Sequence, residues 1–354
     1  MLVLGIETSC DETAAALVEE VLSSSKDRWR MRSNVVASQV DIHREWGGVV
    51  PELASRQHVR DICGVVERAL ADGGAGWSDV DALAVTQGPG LVGSLLVGVS
   101  FAKAAAWALN KPLVAVNHLA GHIESIWLDH GSIPLPAIVL VVSGGHTSLY
   151  LVEEPGRYQL LGRTRDDAAG EAYDKVAKLL SLGYPGGPII DRLAKDGNET
   201  AIRWPGTRLT NPDRNAPERD GRFDFSFSGL KTAVLRHVRQ RQADLGVEQL
   251  PPQEIADLAA SFQRRVVETL IDRAFAAARW HGAKAIGIAG GVSANSRLRA
   301  EALAKAERSE IPVFIPRLSL STDNAAMIAA AGLRQLAAGR LAPPDLNAAA
   351  SLAL

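Results

Sequence analysis

Two histidines, His118 and His122, stand four residues apart in "NHLAGHIESIW", directly after the apolar run "VAV". On a helix capped by Asn117 that spacing sets both rings on one face, about one turn apart, where they could chelate a single cation. One histidine capping a helix and one packed in a core would satisfy the same spacing. The residues between them are Leu119, Ala120 and Gly121. The glutamate that serves HExxH zinc proteases as general base is therefore missing, which argues against peptidase chemistry. A metal needs a third ligand. Asp323 in "STDNAAM" is the candidate, because it follows the last apolar run "VFIP" as His118 follows "VAV". Two imidazoles and a carboxylate would leave coordination positions open to water or substrate oxygens.

Three turns have the composition of phosphate or nucleotide cradles: "ETSCDET", "VSGGHTS" and "GIAGGVSANSRL". Glycine lets backbone N–H groups come close to a phosphate, hydroxyls add donors, and a helix N-terminus behind the turn adds positive potential. A tight structural turn has the same composition. Neither GxGxxG nor GxxxxGK[ST] is present, which disfavours a Rossmann or P-loop site.

The elements that must position these groups form a repeating pattern. "LVLGIE" and "AAALVEEV" predict a hairpin, and "AIVLVVSGGHTSLYLVE" predicts another. Strand, glycine turn, apolar helix and strand follow in residues 80–118, and again in 283–316, as two βαβ units. Residues spaced alike in the two hairpins coincide, Ser9 with Ser143 and Thr13 with Thr147. This points to two duplicated α/β halves facing each other across a cleft, with His118 and His122 brought to Asp323 across it. The Gly/Pro/Arg-rich stretch at about 183–229 is expected to be a surface insertion, and residues 341–354 a loose tail.

Bulk properties narrow the field. The chain has 354 residues, 47% hydrophobic and 22% charged, a formal net charge of −2, and two cysteines, Cys10 and Cys63. Two domains are expected, with no disulfide framework. The N-terminus lacks the basic segment of a leader, and no apolar run is expected to reach the roughly 20 residues of a membrane span, so a cytoplasmic protein without membrane contact is expected. A near-neutral chain would have to grip nucleic acid through local basic segments. "GRTR", "RLTNPDRNAPERDGR" and "GLKTAVLRHVRQR" are the candidates, since few acids adjoin them in sequence. Asp167, Glu171 and Asp174 predict an exposed acidic helix face, and Phe223, Phe225 and Phe227 a packed strand.

Ten ordered motifs complete the picture: "GIETSCDET", "ELASRQH", "TQGPGLVGSLLVG", "NHLAGH", "VSGGHT", "AAGEAYDKVAKLL", "YPGGP", "FSFSGLKTA", "GGVSANSRLR" and "STDNAAM". Together they resemble the TsaD family of tRNA threonylcarbamoyladenosine transferases, across nearly the whole chain. The resemblance implies an α/β actin-like (ASKHA) fold, with domains at 1–132 plus a C-terminal helix near 322–340, and at 133–321. It implies His118, His122 and Asp323 as ligands of one divalent metal, iron(II) in preference to zinc. It implies substrate contacts from Val141, Val142, Ser143, Gly144 and Gly145, from Asp174, Gly187 and Asn295, and with them Asp191. An adenylate or ATP-type nucleotide is the implied ligand. The implied reaction transfers a threonylcarbamoyl group from threonylcarbamoyl-AMP to N6 of the adenosine 3′ of the anticodon in tRNAs reading A-starting codons. Asp11 and Glu12 are candidates for proton acceptance, and Gly291 for a nucleoside contact. Implied partners are tRNA, a TsaB-like paralogue, a TsaE-like ATPase and a separate threonylcarbamoyl-AMP synthase. A small-molecule carbamoyltransferase and a non-enzymatic nucleotide-binding scaffold are the alternatives. Residues 19–34 look like a lengthened hairpin relative to the family.

Overall fold

The computed structural model describes residues 1–21, 29–206, 209 and 220–354. In chain order come β1 (Leu2–Glu7), β2 (Glu12–Glu20), β3 (Trp29–Ser38), α1 (Val40–Arg44), α2 (Pro51–Asp72), β4 (Ala82–Gly88), α3 (Val92–Leu109), β5 (Leu113–Asn117) and α4 (His118–His130). Then follow β6 (Ala137–Val142), β7 (Thr147–Glu154), β8 (Arg157–Arg163), α5 (Ala169–Leu179), α6 (Gly186–Leu193), α7 (Ser228–Leu245), α8 (Pro252–His281), β9 (Ala285–Ala289), α9 (Ser296–Ser309), β10 (Val313–Phe314) and α10 (Ala325–Ala337). They fall into two units, Met1–Ile133 with Pro316–Leu354, and Pro134–Ile315.

Each unit holds one five-stranded sheet, ordered β3-β2-β1-β4-β5 in the first and β10-β9-β6-β7-β8 in the second. Read from the other edge, the second order is the first: an antiparallel meander whose innermost strand pairs in parallel with a βαβ unit. The duplication expected from the sequence is thus present in strand order and direction. The inner strands β1 and β6 are buried along their whole length, as strands covered on both faces must be.

In the first unit, α2 and α3 cover one face of the sheet, and Leu4 and Ile6 of β1 join their core with Ile62, Val65 and Val99. The opposite face takes α4 and α10. Gly5 sets how closely α10 approaches, because a Cβ there would stand 2.3 Å from the Ala325 carbonyl oxygen and 2.7 Å from the Ala329 nitrogen. Gly5→Ala must push the helix backbone outward, and a loss of about 1–3 kcal/mol in urea unfolding is expected.

Several expectations are corrected. The 183–229 stretch is not merely a surface insertion: it supplies α6, and Ile190, Trp204, Phe223, Phe225 and Phe227 join the second unit's core. The phenylalanines are packed as expected but form no strand, with only an isolated bridge between Thr164 and Phe225. The acidic helix face is not exposed as one. Asp167 precedes α5 and pairs with Lys175 and Lys231, while Asp174 accepts the Gly186 N–H.

The tail is docked rather than loose. Ala349 N–H donates to the Gln87 carbonyl, Gly90 N–H to that of Ala350, and the Asn117 amide to those of Leu352 and Ala353. Finally, Val92–Leu109 is 18 residues long and apolar enough, by length and composition, to cross a membrane. Its Leu95, Val99, Ala102 and Ala106 are instead buried in the first unit. Its other side leaves Val92, Leu96 and Trp107 exposed, so burial accounts for only part of its apolar composition. Residues 22–28 of the lengthened hairpin, and 210–219 within "RLTNPDRNAPERDGR", lie outside the described residues.

Candidate metal centre

Strand β5 ends at Asn117, whose side chain accepts the Leu119 N–H and starts α4 at His118, as its N-cap chemistry predicts. His118 and His122 then project from one face of the helix, their ring centroids 4.7 Å apart. Asp323 stands just before the N-cap of α10, where Asn324 accepts the Met327 N–H. Asp323 Oδ1 lies 3.5 Å from His118 Nε2 and 3.2 Å from His122 Nε2. The sequence reading placed this meeting across a cleft. All three residues belong to the first unit, because the chain re-enters that unit at Pro316 before it reaches Asp323.

The donor set fits a metal. Ligand atoms of the three side chains all lie within 4.8 Å of one another. Ligands at about 2.1 Å from a tetrahedral ion stand about 3.4 Å apart, close to the Asp323 separations. His122 is fully buried, yet among the described residues its Nδ1 has no hydrogen-bond partner and its Nε2 faces only Asp323 Oδ1, at 3.2 Å. Leaving such groups unsatisfied is costly unless something else occupies them.

A second layer escaped the sequence reading. Glu7, fully buried at the end of β1, places Oε2 3.0 Å from His118 Nδ1. The Thr86 hydroxyl donates to the same oxygen at 2.7 Å, and the Ser9 N–H donates to Oε1. A carboxylate on Nδ1 fixes the ring and leaves Nε2 for a metal. The available signal was an acid closing an otherwise apolar strand, "LVLGIE", which also reads as an ordinary strand end.

Burial alone would discharge His118, but the Asp323 and Glu7 carboxylates outweigh it and push its pKa up to about 9. Burial, helped by the charge on His118, holds His122 below its ordinary value. In Glu7 the cost of burial is outweighed by His118, so its pKa falls. A cation must therefore displace one proton, from His118, when it binds near neutral pH. Metal affinity should rise roughly tenfold per pH unit from about pH 7 towards 9 and level off above that. Calorimetric titration with Zn(II) in buffers of different ionisation enthalpy measures both the affinity and the proton released.

The turn that carries Asp11 and Glu12 lies in the same unit, beside the centre. Burial and then the Asp11 charge raise the pKa of Glu12 well above its ordinary value, and the Asp323 charge adds to this. The other predicted contacts lie in the second unit. Ser143 N–H donates to the His146 carbonyl, and Ser143 accepts the Gly170 N–H at the start of α5, which leaves Gly144 and Gly145 exposed at a helix N-terminus. Val141 and Val142 are buried in β6 below that turn. Asp174 holds the start of α6, with Gly187 beside it, and Asp191 of α6 accepts from Ser296 N–H and Oγ. Asn295 caps α9 through Leu298 N–H and donates to Gln263 Oε1. Gly291 opens the short helical turn before it. The carboxylates and the Asn295 amide therefore tie α5, α6 and α9 together, which sequence position alone did not reveal.

The basic segments are more neutralised than adjacency in sequence suggested. Arg165 pairs with Asp224, Lys231 with Asp167 and Arg241 with Glu254. Arg236 and Arg239 on α7 remain exposed.

Comparison with known proteins completes the description. The family model "TsaD: tRNA N6-adenosine threonylcarbamoyltransferase" matches residues 30–330. A tRNA N6-adenosine threonylcarbamoyltransferase of Anaeromyxobacter dehalogenans is 55% identical over 98% of this chain and 97% of its own. Among solved structures, full-length HypF in its phosphate- and nucleotide-bound form has a TM-score of 0.56 at 13% identity, covering 95% of this chain and 56% of that one. Component A of the Acidaminococcus fermentans (R)-2-hydroxyglutaryl-CoA dehydratase has a TM-score of 0.50 at 13% identity, covering 95% and 99%. These structural likenesses concern the fold alone, which is the actin-like (ASKHA) fold.

Proposed function

The chain belongs to the TsaD family, and from that premise we propose that it transfers a threonylcarbamoyl group from threonylcarbamoyl-AMP to N6 of the adenosine 3′ of the anticodon in tRNAs reading A-starting codons. The observation that carries this reading is the 55% identity over 98% of the chain to a transferase of that name.

In the reaction an exocyclic amine attacks the carbamoyl carbon, an N–C bond forms, the C–O bond to the adenylate phosphate breaks, and the amine loses a proton. His118, His122 and Asp323 would hold the metal, iron(II) in our reading. When bound, that ion supplies Lewis-acid polarisation of an oxygen and stabilisation of developing negative charge. Glu7 keeps the His118 ring oriented for this task. Asp11 and Glu12 would accept the proton from the amine, and the raised pKa of Glu12 brings its proton exchange nearer to neutral pH. In the second unit, the Ser143, Gly144 and Gly145 turn at the start of α5 offers backbone donors to a phosphate or carbamoyl oxygen. The segments held by Asp174, Gly187, Asp191, Gly291 and Asn295 would bind the nucleoside part.

A TsaB-like paralogue, a TsaE-like ATPase and a separate synthase of the adenylate are the partners of this reading. The outer side of α3 leaves Val92, Leu96 and Trp107 exposed, an apolar surface suited to being covered by another protein. Arg236 and Arg239 are the positions we assign to tRNA phosphates.

Incubating the purified chain with those partners, threonine, bicarbonate, ATP and a tRNA transcript, followed by mass spectrometry of the nucleosides, tests the reaction. Threonylcarbamoyladenosine at one site per tRNA is expected. No modified adenosine with any partner set, from protein loaded with metal, would defeat the reading.

A further inference from the structure

A group of buried polar side chains behind the 10–12 turn is unused by the chemistry above. His58 on α2, His43 on α1, Gln39 just before α1 and Thr13 at the start of β2 are each at most 1% exposed. His58 Nε2 lies 3.0 Å from the Cys10 carbonyl oxygen, which can only accept, so Nε2 carries the proton. His58 Nδ1 then accepts from the Thr13 hydroxyl at 2.8 Å and from the Gln39 amide at 3.3 Å. Gln39 Oε1 accepts from His43 Nε2 at 3.3 Å, and His43 Nδ1 accepts the Val50 N–H at 3.3 Å. The next carbonyl of the turn, that of Asp11, accepts the Gln39 backbone N–H at 3.0 Å.

One set of proton positions satisfies every member, and the chain of donors runs in one direction, from Val50 to the carbonyl of Cys10. Complete buried networks of this kind rigidify what they hold, whereas incomplete ones are costly. Burial holds the His58 pKa below its ordinary value, which suits the neutral ring that the network requires. Two successive carbonyls of the turn are therefore clamped from behind, and neither His58 nor Gln39 is among the three candidate ligands.

We propose that His58, backed by Gln39, is a positioning residue for the transfer reaction: it fixes the backbone of the 10–12 turn and thereby the place of Asp11 and Glu12 beside the His118, His122 and Asp323 centre. This rests on the reading that Asp11 and Glu12 serve the reaction. The network acts on geometry, so its loss should slow turnover without weakening tRNA or metal binding. A displacement of about 1 Å at a reacting group costs on the order of 10²-fold in rate.

The test uses the full chain loaded with Fe(II), its partner proteins, threonylcarbamoyl-AMP and a tRNA transcript. His58→Leu keeps the volume and removes both nitrogens. It should lower kcat by roughly 10²-fold, with KM for tRNA and the Fe(II) dissociation constant within about twofold of wild type. His58→Gln, whose amide can donate to Cys10 and accept from Thr13, should restore most of the rate. Gln39→Leu should lower kcat in the same sense, which keeps the proposal testable if His58→Leu fails to fold. Asp11→Asn and Glu12→Gln are measured alongside. If they lose rate while folded His58→Leu and Gln39→Leu do not, the positioning role is overturned and the reading of Asp11 and Glu12 stands. If Asp11→Asn and Glu12→Gln both keep wild-type rates, that reading fails and takes the proposal with it. Parallel rises in KM and in the metal dissociation constant, without rescue by glutamine, would assign His58 a merely structural part and also overturn it.

Discussion

Arg334→Met will cost about 3–5 kcal/mol of unfolding free energy, the range for breaking one side of a buried ion pair. Arg334 on α10 reaches Glu124 on α4 with two parallel contacts, Nε to Oε1 at 2.5 Å and Nη2 to Oε2 at 2.6 Å. The Glu124 side chain is 1% exposed and that of Arg334 14%. The guanidinium also lies 4.8 Å from the Trp29 ring and 5.9 Å from the Trp127 ring, so its flat faces are occupied as well. Methionine would fill the space but take the guanidinium away from the buried Glu124 carboxylate. Urea unfolding of Arg334→Met, Glu124→Leu and the double variant forms a cycle. The double variant should be less damaging than the sum of the singles, because the stranded charge is gone. A loss below about 1 kcal/mol in Arg334→Met would show that this contact does not hold the two helices.

The pair matters beyond stability, because α4 carries both histidines and α10 begins two residues after Asp323. The second large effect lies there. His122→Ala should lower the transfer rate by at least ~10²-fold to 10³-fold, the loss of several kcal/mol of charge stabilisation. It should do so without loss of fold, since among the described residues the only polar contact of the His122 ring is with Asp323, the other candidate ligand. Single-turnover formation of modified adenosine from threonylcarbamoyl-AMP measures it. A variant that transferred the group at the wild-type rate would remove His122 from the mechanism.

The parts of this site that sequence made legible are those written in local spacing. Asn117, His118 and His122 lie within about one helical turn, so cap and ligands appear together in the six letters "NHLAGH". Asp323 was found by its place after an apolar run that repeats an earlier one, and the common strand order of the two sheets explains why that ruler worked. The same ruler set it in the opposite half, because strand patterns carry no mark of where a chain crosses back, whereas the bounds implied by the family resemblance join 322–340 to the first domain, as the structure does. Glu7 was missed because a buried acid at a strand end looks like the strand's exposed terminus until its partners, His118 and Thr86, are placed beside it. His58 and Gln39 were missed because nothing in their local spacing marks them until Cys10 and Thr13, distant in sequence, are placed beside them. The tail read as loose because proline and alanine give no periodicity, while what docks it is largely backbone hydrogen bonding to Gln87, Gly90 and Asn117. Basic segments looked unopposed because their acids, Asp224 for Arg165 and Glu254 for Arg241, arrive from elsewhere in the chain.

The central claim is that His118, His122 and Asp323, all within the first unit, make one metal centre. Its most direct measurement is anaerobic titration of chelator-stripped wild type and Asp323→Ala with Fe(II), with bound metal quantified after gel filtration. The account predicts one equivalent per wild-type chain and substoichiometric, weakly held metal in Asp323→Ala, with both proteins equally folded. A full equivalent retained by Asp323→Ala at unchanged affinity would contradict it.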